Sequence, residues 1–229
     1  MSEAYDILNQ KAVHKSGVYE LICCALFTAL MAVGAYIKIM IPLGIFEVTI
    51  SLQLFFALIA GCVLGRKWGA LSVLCYIFLG LIGLPIFAHG GGIYYIMKPT
   101  FGFIIGFAAA AFTAGAVYEA LNVTGRQSAH GQQKQNEGKG NKKSAYRQRQ
   151  LKKVCISCIA GEAAYYICGL IYYYVIFNFV LTNGMTIGLK ELFMIWFLST
   201  VSADTVITVA AGFMSLRIMT MLKHIRAGA

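Results

Sequence analysis

Six long apolar runs, at 19–38, 48–64, 68–87, 101–121, 155–181 and 189–222, account for most of this 229-residue chain. Each is close to the roughly 20 residues that cross a bilayer. Such runs are stable only in lipid or against one another, and in lipid the backbone must satisfy its own polar groups, as a helix does. The sequence therefore predicts an all-α, polytopic membrane protein with six transmembrane helices. The second run is short, so it must tilt or sit in thinned bilayer. Composition agrees: 59% of residues are hydrophobic and 12% charged, against about 25% charged in soluble domains, and mean hydropathy is +0.72.

Charge sets the expected orientation. With both termini inside, the inner segments 1–18, 65–67, 122–154 and 217–229 hold 16 of the 19 lysines and arginines. The outer segments hold only Lys38, Lys98 and Lys190. The positive-inside rule then predicts cytoplasmic termini. The organisation expected is a cytoplasmic segment 1–18, helices one to four over 19–121, a basic cytoplasmic linker 122–154, and helices five and six with the C-terminus over 155–229. The linker carries nine basic residues and one acid, Glu137, in a Gln-, Gly-, Ser- and Lys-rich context. That composition reads as a solvated segment, disordered in its middle, whose partner is anionic lipid headgroups rather than nucleic acid.

Most catalytic chemistry is missing. The chain has no GxxxxGK[ST] phosphate loop, no HExxH and no GxSxG, and each of those spacings is what its chemistry requires. His14, His89, His130 and His224 are scattered over loops and termini, so neither a zinc site nor any other cofactor is expected. Cys155 and Cys158 form a lone CxxC without a second ligand pair. A chain with no means of hydrolysing a nucleotide must draw work from a partner or a gradient.

What remains is the material of a binding site. GLIGLPIFAHGGGIYYIMKPTFGFIIG, residues 80–106, breaks two apolar runs with a glycine-rich loop, 88–99, that includes Gly90, Gly91, Gly92 and Lys98. Open backbone amides at the mouth of a bundle hold polar or anionic ligands, so this loop reads as a candidate lid; a tight helical hairpin is the plainer alternative. Ionisable residues at bilayer depth are costly and therefore candidates too. Asp204, in the polar run at 199–205, is the deepest acid of the last helix and reads either as a ligand-binding group or as one that bonds neighbouring hydroxyls to lock the bundle, while Glu162, about two turns into the fifth, reads as a buried helix–helix hydrogen-bonding residue. Gln53 is a third polar residue at depth. Glu20, Lys38 and Glu119 sit at helix ends where they can snorkel. Ala25 and Ala29 form a small-xxx-small step on the first helix, suited to close helix packing within the chain or against another subunit.

ALFTALMAVGAYIKIMIPLG, SLQLFFALIAGCVLG, GALSVLCYIFLGLIGLP, the glycine loop and KPTFGF together resemble the BioY family. These are the biotin-binding S components of energy-coupling factor transporters. The match is close from Ala25 to Gly106, weakens through the basic linker, and returns at Gly161-Glu162 and around Asp204. The resemblance implies a six-helix S-component bundle in the bacterial cell membrane with a pocket near the outer face. It implies no enzyme activity, and partnership with a coupling membrane subunit and ATP-binding subunits, docked through the Ala25 and Ala29 face. Carried over by motif, the pocket takes Gly90, Gly91 and Gly92 in the lid, Pro99, Thr100, Gly102 and Phe103 at the start of the fourth helix, Ser51 and Gln53 from the second, and Asp204 from the sixth. Lys98 joins them as the nearest cation. This chain departs from the family pattern at Ile207, where a lysine is usual, and at Phe101-Gly102-Phe103 in place of Gly-Gly-Tyr. Rival readings are uptake of an analogue or another vitamin, a self-sufficient facilitator, and an intramembrane enzyme using Glu162, Asp204 and His89, the last without any recognisable spacing.

Overall fold

The computed structural model describes residues 2–43, 46–131, 139–180 and 188–227. Their order is α1 (Ser2–Tyr36), β1 (Lys38–Leu43), β2 (Phe46–Ser51), α2 (Gln53–Leu64), α3 (Arg66–Ile82), a 3₁₀ turn (Ile93–Met97), α4 (Phe101–Gly131), α5 (Lys139–Val175) and α6 (Leu189–Ala227). A π-helical turn, Ile176–Val180, follows α5.

The helices are apolar on both faces. On α1, Cys24, Phe27, Thr28, Met31 and Ala35 recur every three or four residues and face the core, while Leu21, Ile22, Leu26 and Val33 are exposed. Phe78, Ile159 and Val206 are likewise turned outward. A soluble protein would put charge on those faces; a bilayer needs them apolar. Four helical segments are long and apolar enough to cross: Gly17–Tyr36, Phe101–Val123, Arg147–Val180 and Ala203–Leu222. The other two are shorter. At 1.5 Å per residue the 12-residue α2 and 17-residue α3 reach about 18 and 25 Å, less than the roughly 30 Å hydrocarbon core.

The fold is the expected helical bundle with one short hairpin added, and one expectation is corrected: the second helix does not begin at residue 48. Residues Lys38–Leu43 and Phe46–Ser51 pair as an antiparallel hairpin, with Lys38 opposite Ser51 and Ile39 opposite Ile50. The cause is local. The β-branched Ile39, Ile41, Val48, Thr49 and Ile50 favour an extended chain, and Pro42 lacks the amide a helix interior needs. Leu52 N–H then bonds Ile37 carbonyl at 3.2 Å, closing the base of the hairpin so that α2 starts at Gln53. Helical structure also runs past the boundaries drawn at 19, 121 and 155: α1 begins at Ser2, α4 continues to Gly131, and α5 begins at Lys139. Within the linker, residues 132–138 lie outside the described residues.

The short α2 is the hub, touching α1, α3, α4, α5 and α6. Small residues let the helices approach it. A Cβ on Gly61 would lie 2.2 Å from the Ala111 carbonyl of α4, and one on Gly161 of α5 would lie 2.8 Å from the Ala110 carbonyl. Ala57, Ala60, Ala110, Ala111 and Ala114 are all fully buried at this junction. In lipid such close backbone contact supplies the dispersion attraction that water-driven burial supplies elsewhere.

Candidate functional site

The α3–α4 loop lies at the same end of the bundle as the β-hairpin. Its glycines are used for shape. Phe87 and Gly90 exchange backbone hydrogen bonds of 2.9 and 3.2 Å, and Gly92 N–H bonds the Gly80 carbonyl at 2.8 Å. Gly92 has φ 105° and ψ 163°, a region closed to side chains. A Cβ on Gly91 would lie 2.0 Å from the Leu84 carbonyl. The expectation of open amides therefore changes: those of Gly90 and Gly92 are spent inside the loop. What the three glycines provide is a tight reversal that feeds the 3₁₀ turn.

Side chains from five elements tie this loop down. Tyr36 of α1 donates to the Pro85 carbonyl at 2.5 Å, Tyr76 of α3 to the Ile86 carbonyl at 3.0 Å, and Tyr172 of α5 to the Ile96 carbonyl at 2.6 Å. Lys38 Nζ of β1 donates to the Ala88 carbonyl. Thr49 Oγ1 of β2 and His89 Nε2 are hydrogen-bonded at 3.1 Å.

Beneath the loop is a cleft open on one side. About 440 Å³ lies between its walls, open solvent included. Its polar rim is Thr49, Ser51, Gln53, His89 and Thr100; Phe103, Ile104, Phe107 and Tyr165 form an apolar wall, and Ala88 and Tyr95 close it from the lid. Ser51 Oγ donates to Gln53 Oε1 at 3.0 Å, and Gln53 Nε2 donates to Tyr76 at 2.5 Å. Those two bonds fix the plane of a buried amide and leave it one N–H and one carbonyl lone pair. Burial pushes the Tyr95 phenol above its ordinary range, so it is a neutral hydrogen-bonding group.

Of the residues expected from sequence, Ser51, Gln53, Thr100 and Phe103 meet in this cleft. Gly90, Gly91 and Gly92 shape its roof without lining it. Lys98 is beside the lid, its Nζ 4.7 Å from the centroid of the Tyr95 ring, and does not line the cleft. Gly102 is a packing residue: a Cβ there would lie 2.2 Å from Tyr172 Cβ. Asp204 lies in the α5–α6 interface, where its Oδ2 accepts a 2.5 Å bond from Tyr166, which also bonds Thr200 at 2.7 Å. Tyr166 packs edge-on against Tyr165, the ring that forms the cleft wall. Glu162 is buried one turn earlier on α5, facing Thr208. Ala25 and Ala29 are exposed on α1, away from the bundle, which removes the intramolecular reading of that step. Cys158 Sγ lies 3.8 Å from Cys62 Sγ in the helix packing. Among the described residues, no three His, Cys, Asp or Glu side chains converge as a metal site.

Sequence reasoning missed Thr49, Ile104, Phe107 and Tyr165, and took in His89 and Tyr95 only as members of the lid loop 88–99, naming His89 otherwise only in the enzyme reading. Some signal existed. Thr49 and Ser51 share one face of a strand by the period of two, and Thr100, Phe103, Ile104 and Phe107 share one face of a helix. Tyr165 had no local mark, because it reaches the cleft only through the packing of α5 on α4.

These features define a multi-pass helical membrane protein with a cleft beneath the α3–α4 loop at one end. The BioY family pattern matches residues 8–224, and the chain belongs to the BioY family. It is 33% identical over 207 residues to the "Probable biotin transporter BioY" of Lysinibacillus sphaericus, covering 90% of each chain. It is 45% identical over 101 residues to the "Biotin transporter BioY" of Thermotoga maritima, covering 44% of this chain and 57% of that one. The fold matches a crystal structure of the S-component for biotin from an ECF-type ABC transporter, with a TM-score of 0.68 and 23% identity over 90% of this chain and 93% of that chain.

Proposed function

We propose that this chain is the substrate-binding membrane subunit for biotin uptake, working with a separate coupling subunit and ATP-binding subunits in the cell membrane. The observation that carries this reading is the tied-down cleft in a chain that matches the BioY family over residues 8–224. Biotin fits its chemistry. The fused rings need an apolar wall, which Phe103, Phe107 and Tyr165 supply, and the ureido group needs fixed polar partners, which the remaining N–H and lone pair of Gln53 supply. Thr100 offers a hydroxyl at the start of α4. Asp204 acts one layer back, holding the Tyr165–Tyr166 wall from α6.

The distribution of basic residues supports cytoplasmic termini and an outward-facing cleft. Exposed Ala25 and Ala29 on α1 support a docking face for the coupling subunit, since small side chains permit close helix approach. Equilibrium dialysis of the purified protein with labelled biotin tests the substrate. Saturable binding is expected; its absence, with tight binding of a different vitamin, would overturn biotin while leaving the fold intact.

A further inference from the structure

The ligand's carboxylate has no obvious partner among the residues expected from sequence. Lys98 is stacked on the back of Tyr95, and Lys38 is held by the Ala88 carbonyl. Asp204 carries the wrong charge and stands behind the cleft wall. A carboxylate taken out of water needs charge-assisted donors, because an unpaired buried charge is strongly disfavoured. Among the described residues that line the cleft, His89 alone can carry a positive charge. Its ring is oriented from the hairpin by Thr49. Its backbone N–H bonds Tyr95, whose hydroxyl also meets Thr100. The Lys38 ammonium, on the carbonyl of the preceding residue, makes this corner of the cleft electropositive.

We propose that His89 is the residue that selects for the ligand's carboxylate, drawing it to the lid corner formed by Thr49, His89 and Thr100 while the ring system lies along the Phe103–Phe107–Tyr165 wall. This rests on the biotin reading above. The bare geometry also allows a plainer role, in which His89 only pins the lid to β2. The two differ in one respect: a pin serves every ligand of the cleft, whereas a carboxylate partner serves only anionic ones.

The test compares biotin with biotinamide, which keeps the rings and loses the charge, by calorimetry on the detergent-solubilised full chain. Wild type is expected to bind biotin more tightly than biotinamide. His89→Gln should weaken biotin by about 10- to 100-fold and biotinamide by less than about threefold, and retained amide binding shows that the variant is folded. His89→Lys should keep the preference for biotin. Equal losses on both ligands in His89→Gln, or an unchanged preference for biotin, would overturn the assignment and leave His89 as a lid pin. If wild type binds neither compound, the biotin reading falls and takes this assignment with it.

Discussion

Tyr166 donates a 2.5 Å hydrogen bond to Asp204 Oδ2, joining α5 to α6 at bilayer depth. Both side chains are buried. The acid that stands out most in the sequence is thus committed to a helix–helix contact, and its influence on the cleft runs through the neighbouring Tyr165 ring.

Removing either partner leaves the other buried and underpartnered. Tyr166→Phe should lower stability by roughly 1.5–3 kcal/mol, the range for a hydrogen bond to a charged group. Asp204→Asn and Tyr166→Phe should be non-additive in a double-mutant cycle. Both should weaken biotin binding by less than about tenfold. An isolated loss of about a hundredfold in Asp204→Asn, with Tyr166→Phe near wild type, would put the carboxylate on the ligand instead.

Ala25→Trp and Ala29→Trp should leave thermal stability and biotin affinity close to wild type, because both positions are exposed on α1. Co-purification with the coupling subunit should be lost, since a large ring holds a partner helix away. Normal assembly in both variants would place the docking face elsewhere.

Gly92→Ala should strain the lid by about 1–3 kcal/mol, because φ 105° and ψ 163° exclude a side chain. Gly91→Ala should act similarly, for the steric reason that its Cβ would strike the Leu84 carbonyl. The expected signature is local: faster hydrogen exchange over residues 84–98 and faster biotin release, with little change in the global melting temperature. A large global loss would mean that the lid and the bundle unfold as one unit.

At the opposite end of the bundle, Glu119 accepts a 2.9 Å bond from the Arg66 backbone N–H and sits 3.3 Å from the Arg66 side chain. Both side chains are about half exposed, so the ion pair is worth little. Arg66→Ala should cost less than about 1 kcal/mol. Glu119→Ala should cost more, about 0.5–2 kcal/mol, because it also uncaps the first turn of α3. Equal losses would show that the backbone cap contributes nothing.

The membrane fold was legible because partition into lipid is set locally, residue by residue. The starts of α4 at Phe101 and α6 at Leu189 were read without error. The hairpin was missed although its β-branched residues were in view, because hydropathy scores an apolar strand and an apolar helix alike. Part of the cleft was legible too. Ser51, Gln53, Thr100 and Phe103 came through the family motifs, and three of them sit at the ends of helices that the motifs also mark.

By itself, the sequence determined that this chain lives in a bilayer and that a glycine-rich loop separates the third and fourth apolar runs. Tertiary structure alone decided which residues those elements bring together. Two small-residue patterns illustrate the difference. Ala25 and Ala29 have the spacing of a packing motif and face outward, whereas Gly61 and Gly161 close against Ala111 and Ala110 in the core. Spacing along one helix specifies a face; it carries no information about which neighbour, if any, arrives to cover it. The same holds for Asp204 and His89, one turned behind the cleft wall and the other into the cleft, because each is placed by contacts with residues far away in the chain.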